Sequence, residues 1–201
     1  MPTRSKLRAG LLLTPGAGTG ADHPGLLAIE GAVHRSLPSV AVVRQDFPYR
    51  LAGRRAPDRA PVLVDAVRAA VAKLRATLPA DAPIVIGGRS MGGRMCSMAI
   101  AEGETVDGLV CLSYPLHPPG KPEKLRVEHL GSIAIPALFV SGTRDTFATP
   151  DELRHHLASL TGPLTLEFLE GVGHDLKRSE SRVADLVVAW LATRFDTLGF
   201  H

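Results

Sequence analysis

The stretch Ile84-Val85-Ile86-Gly87-Gly88-Arg89-Ser90-Met91-Gly92-Gly93 decides how this chain reads. Four residues, Ile84 to Gly87, form an apolar run suited to a buried strand. Gly93 to Glu102 reads as helix. Between them lies Gly88-Arg89-Ser90-Met91-Gly92, a G-x-S-x-G turn with a serine at its apex. A sharp strand-to-helix turn of this kind lifts the serine hydroxyl clear of the local backbone and forms a nucleophile elbow. The glycines two residues to either side are needed because strand and helix backbones must approach closely there.

A serine hydroxyl is a poor nucleophile until a base takes its proton, and the base needs a carboxylate to orient it. Asp145 follows the apolar run Ala137-Leu138-Phe139-Val140 through Ser141-Gly142-Thr143-Arg144. His174 follows the strand-like run Leu164 to Leu169 through Gly171-Val172-Gly173. Serine, acid and histidine are therefore each expected on a loop just past a strand, the edge where open α/β sheets place their sites. Asp145 is not needed as a helix cap, because Thr149-Pro150-Asp151-Glu152 supplies a complete start signal for the next helix. Of the eight histidines, only His174 has this placement. His23 and His34 precede the elbow, His117 and His129 precede Asp145, His155 and His156 lie inside a predicted helix, and His201 is terminal.

Two backbone N–H groups should receive the negative charge that develops on a carbonyl oxygen. Met91, after the serine, is one. The other is expected from Thr14-Pro15-Gly16-Ala17-Gly18-Thr19-Gly20, after the strand-like Gly10-Leu11-Leu12-Leu13, with Ala17 the donor. That glycine-rich loop is not a phosphate loop, since no Lys-Ser or Lys-Thr follows it and its spacing fits no nucleotide pattern.

Further short apolar runs occur at 40–43 and 109–112, and they suit strands buried on both faces of a parallel sheet. Helical spacing lies between most of the runs: Val64, Val67, Val71, Leu74 and Leu78; Leu153, Leu157 and Leu160; Val183, Leu186, Val187, Trp190 and Leu191. The expectation is a doubly wound α/β fold, a mostly parallel sheet of about six strands with helices on both faces, in one domain over residues 1–201. The irregular, proline-rich stretch after Ser113 and the segment Phe47-Pro48-Tyr49-Arg50 are expected to wall the site. No insertion is long enough for a helical lid. Tyr49, Arg89, Tyr114 and His117 are the candidate substrate-binding side chains.

The chain is 45% hydrophobic, with a formal net charge of +3 and 4% aromatic residues. The first figure fits a globular chain rather than a disordered one. The scarcity of stacking platforms and of any zinc-finger or helix-turn-helix pattern argues against a nucleic-acid partner. Arginines at 50, 54, 55 and 59 read as a solvated loop. No apolar run approaches a membrane span, and the basic start, Met1 to Lys6, precedes an apolar stretch too short for a signal sequence, so a cytoplasmic location is expected. Cys96 and Cys111 lack metal-ligand spacing and are expected in the core. No metal or organic cofactor is expected, and oligomeric state, including a homodimer, is left open.

With these residues in place, the chain resembles small, lid-less members of the α/β-hydrolase superfamily related to dienelactone hydrolases. More closely it resembles a family that includes testis-expressed proteins and a hydrolase-like subunit of a chromatin-acetylating complex. The resemblance rests on Gly16-Ala17-Gly18, Phe47-Pro48-Tyr49, Gly53-Arg54-Arg55, Asp58-Arg59-Ala60-Pro61 and Gly88 to Arg94. It continues through Tyr114 to Pro122, Gly142-Thr143-Arg144-Asp145 and Gly173-His174. It implies a Ser90, Asp145, His174 triad and hydrolysis of a small carboxylic ester or thioester. Many relatives have His-Gly where this chain has Pro15-Gly16, and dienelactone hydrolases have cysteine where it has Ser90. Because some relatives serve within complexes, the alternative is a hydrolase-shaped interaction protein with little turnover.

Overall fold

A computed structural model describes residues 7–199; the basic segment 1–6 and His201 lie outside the described residues. Six strands form one sheet: β1 (Ala9–Thr14), β2 (Val40–Arg44), β3 (Ile84–Arg89), β4 (Gly108–Leu112), β5 (Ala137–Gly142) and β6 (Leu164–Leu169). Their order is β2-β1-β3-β4-β5-β6, and every neighbouring pair is parallel. The doubly wound parallel sheet expected from the apolar runs is the sheet observed.

Side-chain alternation explains why the central strands read as continuous apolar runs. Leu12, Ile84, Ile86, Leu109, Cys111, Ala137 and Phe139 point to one layer. Leu11, Leu13, Val85, Val110, Leu112, Leu138 and Val140 point to the other. The first layer is covered by α3 (Ala60–Arg75), α4 (Met91–Ala101) and α5 (Pro150–Leu157), and the second by α1 (Pro24–Ser36) and α6 (Glu180–Thr197). With both faces covered, a central strand has no polar face to show. The edge strands β2 and β6 are only partly buried and carry Arg44 and Glu167.

The expected capping box is present: Glu152 N–H donates to the Thr149 hydroxyl while the Glu152 carboxylate accepts from Thr149 N–H. Two helices are shorter than their apolar spacing. α3 stops at Arg75 and α5 at Leu157, so Leu78 and Leu160 pack from the turns beyond them. The Phe47–Arg50 segment forms the short helix α2 (Pro48–Leu51). Between β4 and β5 the chain is irregular apart from a 3-10 turn, Leu130–Ser132. No helix among the described residues covers the carboxyl edge of the sheet as a lid, and none is long and apolar enough to cross a membrane.

Candidate active site

The site begins with backbone strain. Ser90 has φ 51° and ψ −117° between the end of β3 and the first turn of α4, a conformation that costs an L-residue energy and is kept only where its surroundings enforce it. Those surroundings are the register of β1 against β3, which pairs Thr14 with Gly88. A Cβ on Gly88 would lie 2.3 Å from the Thr14 carbonyl oxygen, and one on Gly92 would lie 2.5 Å from the same atom. Only glycine lets the turn close.

Asp145 and His174 arrive on loops after β5 and β6, which are themselves fastened together. Arg144 N–H donates to the Val172 carbonyl, Thr143 N–H to the Leu169 carbonyl, and Gly171 N–H to the Thr143 hydroxyl. Gly142 passes so close that an added Cβ would stand 2.1 Å from the Val172 oxygen. The Asp145 carboxylate is fully buried and accepts from the Phe147 N–H at 2.8 Å. Its oxygens lie 2.8 and 2.9 Å from His174 Nδ1. A carboxylate there fixes the tautomer: Nδ1 carries the proton and Nε2 presents its lone pair. Nε2 stands 2.9 Å from Ser90 Oγ. The Phe147 ring lies over the imidazole, centroids 4.0 Å apart.

Chemically, this arrangement can relay one proton from Ser90 to His174 while Asp145 stabilises the imidazolium. Ala17 and Met91 both line the cleft at Ser90, a space of about 470 Å³. The Met91 N–H opens α4 and so has no intrahelical acceptor, and neither it nor the Ala17 N–H has a hydrogen-bond partner among the described residues. The positive end of the α4 dipole also points here.

The four expected substrate-binding side chains separate. Arg89 lines the cleft, where its Nη2 donates to the His174 carbonyl at 3.4 Å and burial lowers its pKa. Tyr49, Tyr114 and His117 do not line it, which corrects the sequence reading. Tyr49 is fully buried, stacked with Phe47, and its hydroxyl donates to the Ala17 carbonyl at 2.8 Å. It supports the glycine loop from beneath. Tyr114 is buried with its hydroxyl on the Arg126 carbonyl. His117 is buried, donating from Nδ1 to the Pro118 carbonyl, with Nε2 3.4 Å from Glu152. In a chain with so few aromatic rings, packing claims the tyrosines.

The walls differ accordingly. Asp58, Ala60 and Leu63 replace Phe47–Arg50 on one side, while Pro115 and Arg126 represent the proline-rich stretch on the other. Phe147 was missed, although an Asp that hydrogen-bonds the N–H two residues on is a recognisable turn signal. Arg126 carried no local signal.

Sheet, elbow and aligned triad define an α/β-hydrolase-type domain. The chain belongs to the alpha/beta hydrolase domain family, whose pattern it matches over residues 7–191. Among solved structures it is similar to an alpha-beta serine hydrolase homologue from Coxiella burnetii, with TM-score 0.76, 15% identity, and 92% of this chain and 86% of that one covered. It is also similar to a dienelactone hydrolase from Anabaena variabilis (TM-score 0.73, 18% identity, 93% and 87% covered). A third similar structure is the esterase domain of a Rhodothermus marinus protein (TM-score 0.70, 16% identity, 94% and 89% covered).

Proposed function

We propose that this protein is a serine hydrolase of carboxylesterase type that cleaves a small ester or thioester through an acyl-enzyme on Ser90. The observation that carries this is the continuous line Asp145–His174–Ser90, with contacts of 2.8 and 2.9 Å, open to a cleft.

Ser90 Oγ attacks the acyl carbon as its proton passes to His174 Nε2, and the carbonyl electron pair moves onto oxygen. The Ala17 and Met91 N–H groups receive that oxyanion. Collapse expels the alkoxide or thiolate, which takes the proton from His174, and leaves an acyl ester on Ser90. Water then gives a proton to His174 and attacks the acyl carbon. The second collapse releases the carboxylic acid and returns the proton to Ser90 Oγ. The esterase and serine hydrolase homologue among similar folds support this reading without specifying the substrate.

Labelling with a fluorophosphonate probe, beside turnover of short p-nitrophenyl esters and acyl thioesters, tests it. Wild-type protein is expected to label and turn over, and Ser90→Ala to do neither. A folded wild type that neither labels nor turns over, or that labels no faster than Ser90→Ala, overturns the proposal and leaves the interaction-protein reading.

A further inference from the structure

Several arginines here pair with a carboxylate: Arg44 with Glu30, Arg54 with Asp58, Arg68 with Glu102, Arg154 with Asp151. Arg94 and Arg126 do not. Both line the cleft at Ser90, Arg94 from one helical turn beyond it in α4 and Arg126 from the β4–β5 segment. Neither guanidinium makes an ion pair or side-chain hydrogen bond with a described residue, and Arg94 Nε is buried without a partner. Burial lowers the Arg126 pKa first, and the Arg94 charge lowers it further, so the two cations stand close enough to repel.

The carboxylates nearby are already occupied or remote. Asp58 lines the cleft but is held by two Arg54 bonds of 2.6 and 3.0 Å. Asp145 is buried behind His174. Glu128 is exposed and acts on His129 and Tyr114.

A polar frame ties the backbone at Arg94 to the backbone at Arg126. Ser97 Oγ donates to the Arg94 carbonyl at 2.8 Å, and the Tyr114 hydroxyl donates to the Arg126 carbonyl at 3.3 Å. His129 Nε2 lies between them, 2.8 Å from Ser97 Oγ and 3.2 Å from the Tyr114 oxygen. Each hydroxyl has one proton, already given to a carbonyl, so His129 must be the donor from Nε2–H. Two like charges lining one cleft next to a nucleophile, close enough to repel and without protein partners for their side-chain N–H donors, are complementary to an anion with several oxygens.

We propose that Arg94 and Arg126 form an anion subsite that holds a carboxylate or phosphate carried by the substrate while its ester or thioester carbonyl lies at Ser90. The substrate class is thus an acidic ester or thioester, an assignment that rests on Ser90 being the nucleophile.

The test compares p-nitrophenyl hemisuccinate with p-nitrophenyl butyrate, and an acylglycerol phosphate with the acylglycerol, in wild type, Arg94→Gln, Arg126→Gln and the double variant. A site built around unmet donors rejects the neutral analogue, so one wild-type pair should show a preference of about 100-fold in kcat/KM for the anion. Each single substitution should cut that ratio about tenfold, and the double variant should bring it to unity. The pair that shows the preference identifies carboxylate or phosphate as the source. Thermal melts with sodium succinate or inorganic phosphate, against chloride at equal ionic strength, read the subsite without turnover. Wild type should gain stability from one of the anions and the double variant should not. Arg94→Lys, which keeps the charge, should retain part of both effects. Ratios near unity with no anion-specific stabilisation, or effects that survive in the folded double variant, overturn the subsite. Absent fluorophosphonate labelling beside intact anion-specific stabilisation would instead count against the nucleophile.

Discussion

A methyl group on Gly92 would stand 2.5 Å from the Thr14 oxygen and 2.6 Å from the Pro15 oxygen. Both are backbone atoms, so the end of β1 must move to admit it. Gly92→Ala is expected to cost about 1–3 kcal/mol, as overpacked cores do, and to slow fluorophosphonate labelling because the glycine loop moves with β1. Melting curves and labelling rates check both. Tyr49→Phe separates support from contact with substrate. It removes the hydrogen bond to the Ala17 carbonyl and so loosens the Ala17–Gly18 peptide, which adjoins the Ala17 N–H across one Cα. Losing an oxyanion donor outright costs 10²–10³ in turnover, so a loosened one should lower kcat by about tenfold, with KM little changed. A rise in KM alone would mean that the hydroxyl meets substrate. Asp145→Asn should leave the fold intact and lower kcat by about 10⁴, because the amide cannot hold the Nδ1–H tautomer. The meeting of Ser90, Asp145 and His174 was legible because each follows an apolar strand by a few residues. The burial of Tyr49, Tyr114 and His117 was not, because neither a single helical turn nor an irregular segment says in its sequence which of its side chains turns inward.

At the scale of elements, the irregular β4–β5 segment is ordered by what it touches. His129 braces it against α4, and burial foremost, with the Arg94 charge second and opposed by Glu128, lowers its pKa to about 4 from 6.5. The folded state thus binds this proton less readily than the unfolded chain. Stability from this group is present above about pH 6.5 and is lost as pH falls through about 4. Wild type should therefore lose melting temperature between these values more steeply than His129→Gln, which has no proton to take up. Parallel slopes in a pH series of thermal melts would contradict this. The strands and the Thr149–Glu152 box were legible because apolar runs and caps act over neighbours in sequence. The frame of Ser97, Tyr114 and His129 joins residues of two segments around a buried centre, a contact with no period and no motif.

For the molecule as a whole, the shared sheet is what couples the two core layers. Neighbouring residues of one strand belong to opposite layers, as Leu138 and Phe139 do, so loosening α3 from its face removes support from the sheet that also carries α6. Trp190 is the single tryptophan. It packs with the α1–α6 layer, its ring edge against Gly108, where a Cβ would lie 2.9 Å from it. Leu74 is buried in the opposite layer, on α3. Leu74→Ala should cost about 2–5 kcal/mol by the usual cavity penalty. If residues 7–199 unfold as one cooperative unit, Trp190 fluorescence must register that loss from across the sheet. Its denaturation midpoint should fall by the same amount as the midpoint from far-ultraviolet circular dichroism, with the two curves superimposed. A Trp190 transition that stayed in place while the dichroism midpoint fell would show the layers unfolding separately, and the triad, whose loops all leave the shared sheet, would then rest on only part of the fold.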